Sequence, residues 1–183
     1  MPYEGLAGRV AIVTGANHGI GAASARALAA HGVRVLLSYL RLRDAPDPGM
    51  PRAYGANRAR DAAAVVDGIR SAGGQAEAIE ADLRDPATPA RLFDAAERSF
   101  GPVDILINNA TGWRADTFRS SANDRLGRRL QSITSESASQ VLEVDARGSA
   151  LMIAEFARRH VARKAGWGRI IGLTSGGPLG FPE

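Results

Sequence analysis

Three glycines set within seven residues, Gly15, Gly19 and Gly21, carry the clearest chemical signal in this sequence. They fall in the run Thr14-Gly15-Ala16-Asn17-His18-Gly19-Ile20-Gly21, after the apolar stretch Val10–Val13 and before the helix-forming run Ala22 to His31. A strand that turns through glycines into a helix start presents backbone N–H groups and the positive end of a helix dipole to an anion. The chemistry suited to that arrangement is the holding of a dinucleotide's pyrophosphate. Gly15 allows a tight turn, Gly19 a close approach of backbone to phosphate, and Gly21 close packing of helix on strand. The spacing is TGxxxGxG rather than GxGxxG. Glycine turns also occur as plain loops, so the weight of the motif rests on its surroundings.

A second chemical question is posed at the end of the next apolar run, Val33-Arg34-Val35-Leu36-Leu37-Ser38. A carboxylate there would hydrogen-bond the ribose hydroxyls of NAD and repel a 2′-phosphate. The chain instead has Ser38, Tyr39, Leu40 and Arg41, with no acid until Asp44. Ser38 can donate to a phosphate and Arg41 can pair with one. This pattern favours NADP(H) over NAD(H), against the reading that Arg41 is one of several solvated loop arginines.

The elements that must position these groups alternate strand and helix, which predicts an α/β fold: a doubly wound Rossmann-type parallel sheet with helices on both faces. The first strand is predicted over Val10–Thr14 and its helix over Ile20–His31, ended by Gly32 in a left-handed cap. The second strand is Val33–Ser38. The excursion from Arg41 to Arg60, with Pro46, Pro48, Gly49 and Pro51, reads as a surface loop. A helix is predicted from about Asn57 to Ala72, then a strand over Gln75–Ala81 followed directly by Asp82-Leu83. Asp85-Pro86 or Thr88-Pro89 opens the next helix, as an N-cap donor followed by proline, and it runs to Phe100. Val103–Asn108 is the fourth strand. Residues 111–133 are a polar segment with five arginines (114, 119, 125, 128 and 129) against Asp116 and Asp124. A long helix starts near Thr134-Ser135-Glu136 and stops at Gly166-Trp167-Gly168, and Arg169–Thr174 is the fifth strand.

With these motifs in place the sequence resembles the short-chain dehydrogenase/reductases, closest in pattern to the 3-oxoacyl-acyl-carrier-protein reductase-like branch. Thr14–Gly21, Asp82-Leu83, Asn108-Asn109-Ala110 and Gly168–Ser175 match in order across the whole chain. The resemblance implies reversible hydride transfer between a nicotinamide and a carbonyl or alcohol carbon. Asp82 at a strand end would accept from the adenine amino group, with Leu83 beside it; a turn-capping Asp is the competing reading. Asn108 and Asn109 would tie strands together at the crevice, and Ala110 would leave room beside the nicotinamide ribose. His18 occupies a place where many NADP-using relatives carry a basic residue. Ser175 matches the serine that orients the substrate carbonyl. The asparagine that holds a water of the proton relay falls on Asp145, where a helix-kink role is the alternative. Thr111 departs from the glycine that ends the family's Asn-Asn-Ala-Gly.

The family's general acid–base pair, Tyr-x-x-x-Lys, is absent. Tyr3, Tyr39 and Tyr54 are not followed by lysine at the fourth position, and Lys164 is the only lysine. The expectation is therefore one Rossmann domain over residues 1–183, truncated at its C-terminus before that motif and inactive by itself. The different-class alternative is a non-catalytic dinucleotide-binding protein. The expected partner is a small carbonyl or alcohol substrate, either free or carrier-bound, with a homo-oligomer for a full-length form.

Composition limits the other classes. Apolar residues make up 45% and charged residues 23%, as in ordinary globular proteins. There is no cysteine, which excludes disulfides, thiolate nucleophiles and cysteine metal sites. The net charge of +4 arises from arginines interleaved with acids, without an aromatic–basic platform, so nucleic acid is not an expected partner. No signal-peptide pattern or membrane-length apolar run is present, and the expected location is cytoplasmic.

Overall fold

A computed structural model describes residues 5–42, 52–114, 116–125 and 127–174. The strands are β1 (Val10–Val13), β2 (Arg34–Tyr39), β3 (Gln75–Glu80), β4 (Ile105–Asn108), β5 (Asp116–Thr117), β6 (Gln131–Ser132) and β7 (Arg169–Gly172). The α-helices are α1 (Gly19–Ala30), α2 (Arg52–Arg58), α3 (Ala63–Ser71), α4 (Thr88–Phe100), α5 (Ser135–Val141) and α6 (Ser149–Ala162), with a π-helical stretch at Leu142–Gly148 joining the last two.

The main sheet is parallel, in the order β3-β2-β1-β4-β7. β1 is buried along its whole length, as a central strand covered on both faces must be, and its unbroken Val-Ala-Ile-Val supplies the apolar surface. Alternate residues feed two cores. Ala11 and Val13 pack with the α1 and α3 side, including Ala22, Ala25, Val65 and Ile69. Val10 and Ile12 pack with the α4 and α6 side, including Leu92, Phe93, Met152 and Phe156. The alanines of α1 keep that helix close to the sheet, which brings the glycine turn onto the ends of β1 and β4. The chain proceeds outward from β1 in one direction through β2 and β3, then returns to the other side at β4. That reversal opens a crevice at the carboxyl ends of β1 and β4, where doubly wound sheets bind ligands. The edge strand β7 leaves Ile170 and Ile171 about two-fifths exposed.

Gly32 adopts φ +78°, the left-handed cap its position predicts. Several boundaries differ from the sequence reading. Part of the supposed loop from Arg41 to Arg60 is helix α2, and the helix predicted from Asn57 starts only at Ala63. The segment 111–133 contains the paired two-residue strands β5 and β6 and a bridge between Asn123 and Arg129. α4 has no side-chain N-cap. Asp85 instead accepts from the N–H of Ala87 at 2.9 Å, and the hydroxyl of Thr88, already the first helical residue, donates to the carbonyl of Asp82 at 2.6 Å. The long helix begins as read, through a capping box in which Thr134 and Ser137 bond each other's backbone N–H.

Candidate functional site

The glycine turn is stitched to β4 by side chains at both ends. Thr14 Oγ1 accepts from the N–H groups of Asn109 and Ala110, each at 3.0 Å. The Asn109 amide donates to the carbonyls of Thr14 (2.8 Å) and Gly15 (2.9 Å). Two glycines make this contact possible. A Cβ on Gly21 would lie 2.5 Å from both Asn109 Nδ2 and the Gly15 carbonyl, and one on Gly15 would lie 2.8 Å from Ala110 Cα. Gly15 and Gly19 also need φ of +63° and +57°. Gly19 differs in that its Cβ direction is open space. His18 at the N-cap makes no side-chain cap bond, and the first turn of α1 carries no acid. The first turn of α1 thus opens with its positive end toward the cleft at Gly19 and Ile20, without a side-chain cap or an acid beside it.

A cleft of about 570 Å³ opens there, bounded by the glycine turn, Ser38 and Tyr39 of β2, Asp82 and Leu83 after β3, and Asn109 and Ala110 after β4. The structure thus brings together on one cleft most of the residues singled out in sequence. Ser38 is buried, and its carbonyl accepts from Ala16 N–H at 2.9 Å, which ties β2 to the turn. Asp82 is held by Arg84 through side-chain bonds of 2.9 and 2.7 Å and by its backbone N–H at 2.9 Å. Burial alone would raise the Asp82 pKa. The bonds to Arg84 and its charge outweigh that and keep the carboxylate ionised below its ordinary range. Leu83 is buried because Gly148 lets the π-helical stretch approach; a Cβ on Gly148 would stand 3.0 Å from Leu83.

Beside the cleft is a recess of about 500 Å³ bounded by Asn17, His18, Gly19, Arg26, Arg41 and Arg60, with Asp61 at its side. Arg41 lines this recess rather than the main cleft, and it is bound to Glu80 at 2.9 and 2.6 Å. His18 is held below its ordinary pKa, first by burial and then by the charge of Arg58.

On the opposite side Asp145 lies in the π-helical stretch, a distortion that often marks functional sites. Its carboxylate accepts from Thr111 Oγ1 (3.2 Å) and from Gly112 N–H (3.1 Å). Gln140, one turn earlier, donates to the Gly112 carbonyl at 2.9 Å and accepts from Arg114 at 2.7 Å. The two departures from the family pattern, Thr111 and Asp145, are therefore bonded to each other. Replacing Asp145 by alanine is expected to cost about 1–2 kcal/mol by freeing the Gly112 N–H and the Thr111 hydroxyl. Asp145→Asn keeps an acceptor and should restore most of the loss in a urea melt. Ser175 lies outside the described residues.

Sequence reasoning missed Tyr54, Asn57 and Arg58 of α2, which line the cleft, as well as Arg84 and Gln140. The one available signal was an aromatic residue, Tyr54, standing in a stretch otherwise dominated by breakers and arginines.

Comparison with known proteins agrees with this geometry. The family model described as short chain dehydrogenase matches residues 48–179. A short chain dehydrogenase of Passalora fulva is 37% identical over 170 residues, covering 93% of this chain and 52% of that protein. Versicolorin reductase 1 of Aspergillus parasiticus is 36% identical over 170 residues, with the same coverage of 93% and 52%. Among solved structures, a 3-oxoacyl (acyl-carrier-protein) reductase from Agrobacterium tumefaciens C58 with NADP bound superposes with a TM-score of 0.68 at 30% identity, over 93% of this chain and 54% of that one. The chain spans about half the length of the curated relatives it matches. No helix among the described residues is long and apolar enough to cross a membrane. With its parallel sheet, its stitched glycine turn and this sequence similarity, the chain belongs to the short-chain dehydrogenase/reductase family.

Proposed function

We propose that this chain is the cofactor-holding part of an NADP(H)-dependent oxidoreductase acting on a carbonyl or alcohol carbon. The observation that carries the reading is the cleft at the β1/β4 switch point, bounded by an open helix N-terminus and, among the described residues, by no carboxylate from the end of β2. When bound, NADPH would supply a hydride to the carbonyl carbon of the substrate. The chain's own residues bind and orient it. The turn over Gly19 and Ile20 takes the pyrophosphate, and Ala110 leaves room for the nicotinamide ribose. The recess with His18, Arg26, Arg41 and Arg60 takes the 2′-phosphate, with Arg41 shared between that phosphate and Glu80. The NADP bound in the Agrobacterium tumefaciens relative supports the cofactor choice by analogy. Thr111, Gly112 and Arg114, at the start of the arginine-rich segment 111–133, line the cleft, and that segment favours an anionic or carrier-bound substrate such as a 3-oxoacyl group.

The test is a paired titration followed by the fluorescence of Trp113 and Trp167. NADPH is expected to quench with a dissociation constant at least about tenfold below that of NADH, the difference one good charge-assisted phosphate contact makes. Quenching by neither cofactor would refute the assignment. The 183 residues carry no tyrosine followed by lysine at the fourth position, which favours, for this chain by itself, the second reading of binding without turnover. NADPH oxidation with acetoacetyl-type substrates should accordingly stay at the level of the blank, and a rate above it would overturn that reading.

A further inference from the structure

The amino ends of the sheet strands, away from the cleft at their carboxyl ends, gather arginines around one aromatic ring. Arg9 leads into β1, Asp104 into β4, and Arg169 opens β7. Backbone bonds hold these starts side by side. Asp104 N–H donates to the Val10 carbonyl at 2.8 Å, and Arg169 N–H to the Asp104 carbonyl at 3.0 Å. Trp167, half-buried against the core, carries both guanidiniums, with Arg9 Cζ 4.4 Å and Arg169 Cζ 4.7 Å from its ring centroid. The end of α6 adds Arg163, whose guanidinium donates to the Val103 carbonyl (2.7 Å) and to Asp104 (3.1 Å).

The charges gathered here do not balance. Asp104 is the one carboxylate paired with these cations among the described residues, and it already serves Arg9 at 3.6 Å as well as Arg163. Arg169 is exposed, and the one hydrogen bond of its side chain among the described residues goes to the carbonyl of its neighbour Gly168, at 2.8 Å. Lys164, exposed next to Arg163, has no ion pair among the described residues. It also holds φ +52°, the one positive φ outside glycine among them. Glycine would take that place after a helix without strain. Arg159 and His160 already bring positive charge to the end of α6, so the helix dipole does not require the lysine. A strained lysine kept at this place points to a use for its charge.

We propose that this surface docks a carboxylate-rich segment of a partner polypeptide, which pairs with Arg169 and Lys164 as Asp104 pairs with Arg9 and Arg163. Guanidinium forks match carboxylates in shape, and the Trp167 ring steadies Arg169, so less freedom is lost on docking. Nucleic acid fits less well, since the ring on which a base would stack already carries guanidiniums. The surface lies at the opposite end of the sheet from the cofactor cleft. It serves assembly rather than hydride transfer and stands independently of the dinucleotide reading.

The test is calorimetric titration of the full chain with a short poly-L-glutamate, with inorganic phosphate and with a single-stranded oligodeoxynucleotide. Poly-L-glutamate is expected to bind tightest of the three. Arg169→Gln and Lys164→Gly should each weaken it about threefold, the scale of one exposed ion pair, and the double variant about tenfold. Lys164→Gly should melt no lower than wild type, because glycine takes φ +52° without strain, so weaker binding there is not lost folding. Affinity unchanged in the double variant would overturn the proposal. Phosphate or the oligonucleotide binding as tightly as poly-L-glutamate would overturn it too, since the surface would then not select a polypeptide. Amide exchange in the wild-type protein locates the contact and needs no variant to fold. Poly-L-glutamate should slow exchange across residues 163–169. Protection confined to the recess around Arg26, Arg41 and Arg60 would also reject the docking surface.

Discussion

Gly21→Ala is expected to weaken NADPH binding by at least about 100-fold, although alanine is the better helix former by roughly 0.5–1 kcal/mol. Gly21 lies inside α1 without a positive φ, so backbone freedom is not the issue; space is. The added methyl would stand 2.5 Å from Asn109 Nδ2 and 2.5 Å from the Gly15 carbonyl. Neither can retreat cheaply, because the Asn109 amide is bonding the Thr14 and Gly15 carbonyls at that place. Overpacking costs about 1–3 kcal/mol, and each carbonyl left without its donor costs about 1–3 kcal/mol more. The sum exceeds the helical gain, and the displaced part is the turn proposed to hold the pyrophosphate. Gly68→Ala in α3 is the contrast: nothing lies within 4 Å of its Cβ direction, so stability should rise by about 0.5–1 kcal/mol. Isothermal titration and thermal melts of the two variants check both signs. NADPH affinity within threefold of wild type in Gly21→Ala would show that the contact between the turn and Asn109 does not set the cofactor site.

What was legible in the sequence was local. The β1 strand, the glycine turn and the α1 helix each depend on neighbours a few residues away, and Gly32 announces its left-handed cap by type alone. What was not legible depends on distant partners. Helix α2 has seven residues and no apolar stripe, and its fixed points are Leu42 and the Asn17 amide, so the prolines nearby dominated the reading. Arg41 is a candidate phosphate ligand by sequence, yet its bound partner Glu80 lies 39 residues away on β3. The pairing of Asp145 with Thr111 likewise spans 34 residues. β5 and β6 are held by only two residue pairs, too short for any periodic signal. Asp82 could be placed at a strand end from the sequence, but its capture by Arg84 turns on side-chain geometry that periodicity does not carry.

Tyr39→Asp is expected to reverse the cofactor preference. Tyr39 is the last residue of β2, half-buried and on the cleft wall, at the end of the strand where a carboxylate would face the adenosine ribose. An aspartate there meets a 2′-phosphate with like charge. At about 5 Å and an effective dielectric of about 20, one such pair of charges repels by about 3 kcal/mol, on the order of 100-fold in affinity. NADH has no 2′-phosphate and gains an acceptor for its ribose hydroxyls, so its affinity should hold or improve. The new carboxylate also faces Glu80, its partner in the β2–β3 register, but Arg41 already neutralises that side chain. Tyr39→Asn is the control, since it removes the ring without adding charge and should leave NADPH preferred. Because the cause is electrostatic, the penalty on NADPH should shrink as salt is raised from about 0.01 to 0.15 M, where screening shortens from about 30 to 8 Å. Titrations of both cofactors at those two salt concentrations decide it. An unchanged NADPH-to-NADH ratio in Tyr39→Asp would mean the 2′-phosphate is read away from β2, and the recess with His18, Arg26 and Arg60 would have to do so without that strand.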